Sequence, residues 1–149
     1  MNHSWPTGTT LAICCVSGAV QLYWGGQDHA GQFHADYLWA RGNLGISLFF
    51  LGPYLLLAMS ALVAWRQRAS RGVLMLTAAL CGISLLAGWI DHDQYLRTPP
   101  ERGTPQMLNF LATPLLWLGG VVQLATVGKS RLASLRACQQ QQPITGSGS

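Results

Sequence analysis

Four long stretches of this chain run without a charged side chain: 9–24, inside an uncharged segment 4–27, then 42–65, 72–90 and 107–127. Short clusters between them and after the last hold every Lys, Arg, Asp and Glu. A bilayer core of about 30 Å takes roughly 20 helical residues. The last three stretches meet that length directly, and the first meets it with its uncharged flanks. Strands of a membrane barrel would alternate polar and apolar positions, and these stretches do not alternate. The pattern predicts an all-α integral membrane protein with four transmembrane helices, near 8–25, 42–65, 72–90 and 107–127, packed as an antiparallel bundle. Residues 1–137 form one domain, and 138–149 are a polar, disordered tail.

The first stretch could instead belong to a secretory leader. Its opening residues, MNHSWPTG, carry no Lys or Arg, and no small-residue cleavage site precedes the loop, so it reads as a retained helix.

Charge sets the orientation. Arg66, Arg68 and Arg71 follow the second stretch, and Lys129, Arg131 and Arg136 follow the fourth, with no acid among them. Asp28, Asp36, Asp91, Asp93 and Glu101 all lie in the other two connections. Short segments rich in Arg and Lys stay cytoplasmic, so both termini are expected inside, in a bacterial-type inner membrane. The net charge of +4 is then a topology signal and not a nucleic-acid footprint. Tyr23, Trp24, Trp65 and Trp89 stand at expected membrane–water boundaries. Trp117 lies deep in the fourth stretch, where its indole N–H needs a partner, and Gln21 and Asn109 are the expected ones.

Sequential helices are expected to be antiparallel neighbours. Pro53 and Pro114 should each remove one helical hydrogen bond. Ala78 with Gly82, and Ser84 with Gly88, are small-residue pairs that allow close helix approach. The two hairpins also resemble each other: Trp24, Asp28-His29 and Asn43 in the first answer to Trp89, Asp91-His92 and Asn109 in the second. A duplication would produce this, with a pseudo-two-fold axis along the membrane normal; so would chance likeness between two membrane hairpins.

The outer connections gather the candidate ligands. Asp28, His29, His34, Asp91, His92 and Asp93 mix imidazole with carboxylate, a donor set suited to zinc or copper(II). A site bridging both hairpins is one reading, and solvated connecting loops are the other. Cys14, Cys15 and Cys81 fall within helices and Cys138 in the tail, where cysteine commonly serves as a small apolar residue. The outer connections hold no cysteine, which removes thiol-oxidising membrane chemistry of the kind that needs reactive pairs there. No histidine or charge sits in mid-stretch, against a haem bundle or an ion-coupled pump.

No catalytic motif or cofactor is expected. The leading expectation is therefore a non-enzymatic membrane protein that interacts with another membrane protein, as an accessory subunit or an immunity-type protector, or that self-associates. Phe33, Tyr37 and Trp39, with Trp117, are its candidate contacts. Divalent-metal binding or translocation at the outer Asp/His residues is the alternative. A small channel along the bundle axis, with Gln21, Asn109 and Gln123 lining it, is the third.

Overall fold

A computed structural model of the chain describes residues 4–36, 44–65, 67, 69–98 and 107–140. Four long helices carry the fold: α1 (Ser4–Gly25), α2 (Leu44–Ala64), α3 (Ser70–Arg97) and α4 (Met107–Gln140). No strand ladder occurs among the described residues, only an isolated bridge between Gln27 and Phe33. α3 and the 108–140 part of α4 are each long and apolar enough to cross a membrane, and α2 contributes a shorter apolar helix, Leu48–Ala64.

Two helices run further than their apolar stretches. α3 continues through Asp91, His92 and Asp93 to Arg97, so these three residues are helical and not part of a loop. α4 continues through the basic segment to Gln140, past the expected end near 127 and into the expected disordered tail. Charge marks where a helix would leave lipid; it does not break backbone hydrogen bonding. Arg131, Ala133, Leu135, Ala137 and Gln140 retain good helix propensity.

Contacts fix the packing order. Gly18 on α1 lies against Leu51 and Tyr54 of α2, and Gly119 on α4 lies against Leu80 of α3. Gln21 of α1 bonds Ser84 of α3, while Gln123 of α4 bonds Ser60 of α2. The ring order is thus α1–α2–α4–α3, with α1 parallel to α3 and α2 parallel to α4. Of the diagonals, α2 packs closely on α3, while α1 reaches α4 through side chains, Gln21 to Asn109. Consecutive helices are antiparallel, but α2 and α3 face each other across a diagonal.

The two hairpins therefore lie side by side in one direction. Gln21–Ser84, Ser60–Gln123 and Gln67–Ser130 are each 63 residues apart. Asp28-His29 and Asp91-His92 share that offset. A two-fold axis along the bundle would set equivalent helices across the axis from one another, whereas here both equivalent pairs are lateral neighbours.

The core has two apolar clusters. Cys14, Tyr54, Leu57, Cys81 and Leu116 form one, and Ala61, Ala64, Val73 and Val127 form the other. Buried polar side chains are about as numerous as buried apolar ones among the described residues.

Candidate functional site

Along α1 the buried positions include Thr7, Thr10, Cys14, Ser17 and Gln21, spaced alternately three and four residues apart. That spacing keeps them on one face, as in a heptad seam. Along α3 the buried positions are Ser70, Val73, Thr77, Cys81, Ser84, Gly88 and Asp91. The two parallel helices thus meet along a stripe of hydroxyls, thiols and small residues.

The half of this stripe nearer Asp91 carries a hydrogen-bond network. Gln21 Nε2 donates to the Ser84 carbonyl at 3.1 Å and to Ser84 Oγ at 3.3 Å. Its Oε1 accepts from Asn109 Nδ2 at 3.1 Å, which ties in α4. Ser84 Oγ also meets the Tyr54 hydroxyl of α2 at 2.8 Å. Four helices converge on one glutamine side chain. Gly88 makes room for it: a Cβ there would stand 2.7 Å from Gln21 Nε2 and 3.0 Å from the Trp24 ring.

Asp91 stands at the end of the network. It is buried, and its carboxylate accepts from the backbone N–H groups of Leu108 (3.3 Å) and Asn109 (2.6 Å). The first turn of α4 contains no acid of its own. Asp91 supplies from α3 the negative charge that a helix N-terminus favours, and satisfies two of its orphan donors.

A second layer lies lower in the bundle. Gln123 Nε2 donates to Ser60 Oγ at 2.6 Å and to Thr77 Oγ1 at 3.0 Å, joining α4, α2 and α3. Trp117 uses neither Gln21 nor Asn109, which bond each other. Its Nε1 donates to the Phe49 carbonyl at 2.8 Å. Phe49 is four residues before Pro53, so Pro53, lacking an N–H, leaves that carbonyl unpaired within α2. The indole fills the gap, with its ring over Gly52.

The six Asp and His candidates do not gather into one cluster. Asp28 Oδ1 accepts from Ala30 N at 2.9 Å and Gln32 N at 2.8 Å, and its Oδ2 lies 3.0 Å from His34 Nε2. The Gln32 backbone bond is the main cause holding the Asp28 carboxyl below its ordinary range, with His34 and Ala30 acting in the same direction. His29 stacks on Tyr95 with ring centroids 4.0 Å apart, and His92 stacks on Trp24 at 5.8 Å. Asp93 pairs with Arg97 one turn on, at 2.9 Å. No group of three or more His, Cys, Asp or Glu able to hold a metal occurs among the described residues. The two hairpins do meet at this end, through aromatic stacks.

Phe33 is exposed and stacks on Tyr23 at 5.7 Å. Tyr37 and Trp39 lie outside the described residues. Sequence reasoning passed over Tyr54, Ser60 and Thr77, read Ser84 only as a small packing residue, and took Asp91 for a loop ligand. The heptad spacing of hydroxyls along α1 was the available signal for the seam. The chain matches no known family model, no curated protein and no solved structure.

Proposed function

We propose that this is a small four-span inner-membrane protein, both termini cytoplasmic, that works by binding another membrane protein rather than by catalysis. The observation carrying this reading is the inverted distribution of polarity. Glutamines, serines and threonines lie inside, while Leu55, Met75, Leu86, Phe110, Leu115, Leu118 and many similar side chains are exposed. Only 28% and 33% of the most apolar windows of α3 and α4 are buried. The core helix of a water-soluble protein would be mostly covered. α1 and α2, of 22 and 21 residues, are about 32 Å long at 1.5 Å per residue and carry no charge, which suits them to the same layer.

Interaction is favoured over transport because the side-chain amide nitrogens of the interior Gln21, Asn109 and Gln123 are spent on bonds between helices. Gln21, Asn109 and Gln123, the candidate channel residues, hold helices together through hydrogen bonds, and Leu57 and Leu116 fill the core beside Cys14 and Cys81. What remains for function is the outer surface: apolar flanks, the exposed Phe33 segment and the protruding end of α4.

The test is purification from native membranes in mild detergent after brief cross-linking. A stoichiometric membrane-protein partner, or a defined homo-oligomer, supports the reading. A protein that isolates alone and runs as a monomer at every cross-linker level overturns it.

A further inference from the structure

The two parallel helices of the seam also begin together. Gln21 bonds Ser84, and Trp24 stacks on His92, toward their C-terminal ends. Fourteen residues before Gln21 and Ser84, about four turns, stand Thr7 and Ser70, both buried at 6% and 3% exposure. The N-termini of α1 and α3 therefore open side by side at the basic end of the bundle. Neither first turn contains an acid, and Ala69 gives α3 no side-chain cap. The chain's five acids all lie within 28–36 and 91–101. Two partial positive charges thus stand uncompensated, beside the exposed Arg71 in the first turn of α3 and the exposed Lys129 at the base of the α4 arm.

Two buried donors at this end lack acceptors. Thr9 and Thr10 turn their hydroxyls back to the carbonyls of Trp5 and Pro6. The buried Thr7 hydroxyl has no hydrogen-bond partner, and neither has Gln67 Nε2. Helical Cα–Cβ bonds tilt toward the N-terminus, so Thr7, on the α3-facing side of α1, is aimed into the gap between the two N-termini. Gln67 lies three residues before Ser70. Its carbonyl accepts from the Ser70 N–H at 3.3 Å, and its Oε1 accepts from Ser130 of α4 at 3.0 Å. A buried polar group left unpaired is costly, and valine would serve a packing role at position 7 without that cost.

We infer that the basic end of the bundle binds one phosphate group, as an ester or as the free ion, seated between the N-termini of α1 and α3. Helix N-termini take phosphate through backbone N–H groups and the dipole. Its oxygens supply the acceptors that Thr7 and Gln67 lack, and its charge answers Arg71 and both dipoles. A cation would meet the same dipoles with the wrong sign. The membrane setting proposed above bears only on the source, an anionic phospholipid headgroup or phosphate from solution.

The test uses the purified full chain in a non-ionic detergent without phosphate. Total phosphorus is counted first, so that a headgroup carried through purification registers as occupancy. Calorimetric titration follows, with inorganic phosphate in one arm and monomeric short-chain phosphatidylglycerol in the other. Retained phosphorus or saturable, stoichiometric binding is expected, and the tighter arm names the source. Thr7→Val should weaken binding about tenfold, the scale of one hydrogen bond to a charged group. The empty Thr7→Val protein should melt no lower than wild type, because the lost hydroxyl was unpaired. Ala69→Asp puts a carboxylate at the exposed start of α3 and should abolish binding while helicity and melting of the empty protein hold. Arg71→Gln should weaken binding and flatten its dependence on salt. A chain without retained phosphorus that saturates in neither arm would overturn the inference. So would binding that Thr7→Val and Ala69→Asp both leave unchanged, since that is attraction to diffuse basic charge.

Discussion

Trp117 shows how one side chain can repair a defect set by another. Pro53 withdraws the N–H that would have met the Phe49 carbonyl, and the Trp117 indole, reaching across from α4, replaces it at 2.8 Å. Trp117→Phe should therefore cost about 1 kcal/mol, the scale of one hydrogen bond inside a membrane bundle. The same change in a Pro53→Ala background should cost measurably less, because an alanine at that position returns an N–H to the carbonyl. A double-mutant cycle on melting in detergent reads the difference. His92 gives a second residue-level test. Burial holds its imidazole below the ordinary histidine value of 6.5, with Asp93 opposing. The unfolded chain then takes up this proton first as pH falls. The His92 contribution to stability is intact above about pH 6.5 and declines as pH drops through that value toward the lowered folded one. His92→Phe keeps a ring against Trp24, and its melting temperature should fall less than that of wild type between pH 7 and 5. Neither feature was fully legible in the sequence. That Trp117 needed an acceptor was clear, but which acceptor depended on the α2–α4 register, and glutamine and asparagine side chains prefer each other when the bundle brings them within reach.

Helix existence was legible because an uncharged run of twenty residues has few alternatives; helix ends were not. Hydropathy reports where lipid would stop. The ends of α3 and α4 are decided by capping and propensity, so both outrun their apolar stretches. In α3 this extension has a consequence: Asp91 stays on the helix, turns inward and caps α4. In α4 it leaves residues 131–140 as an exposed helical arm. At 1.5 Å per residue the 34-residue helix is about 51 Å long, against a bilayer core of about 30 Å. Among the described residues, the side-chain hydrogen bond from the arm runs back into its own helix, from Ser134 to the Arg131 carbonyl. Ending the chain after Ser130 should therefore shift bundle stability by no more than about 0.5 kcal/mol, since the Ser130–Gln67 bond that seats the base of the arm is kept. Thermal melts of the shortened and full chains in one detergent make the comparison. If the arm carries the partner contact, the shortened protein should melt normally and lose its cross-linked partner.

At the scale of the molecule, the positions of charge bear on the proposed orientation and the burial of polarity on the proposed membrane setting. The tip formed by the 26–34 loop and the end of α3 carries Asp28, Asp91 and Asp93 together with Arg97, and is tied down by histidine–aromatic stacks. The opposite tip carries Lys129, Arg131 and Arg136 with no acid near them in sequence. By the rule that Arg- and Lys-rich segments stay inside, this asymmetry supports the proposed orientation, with the basic tip and both termini in the cytoplasm. The arrangement predicts opposite labelling of two cysteines. Ala30 is exposed in the 26–34 loop and Cys138 is exposed on the α4 arm. In a chain with Cys15→Ser, a thiol reagent too polar to cross membranes should modify Ala30→Cys in intact spheroplasts and spare Cys138. Cys138 should react only once the membrane is opened. Labelling of Cys138 in intact spheroplasts, with Ala30→Cys protected, would invert the orientation and move the basic arm outside. Equal labelling of both positions before opening would instead mean that the basic and acidic tips are not separated by a bilayer, and the inverted polarity of the helices would then have to be covered by another protein.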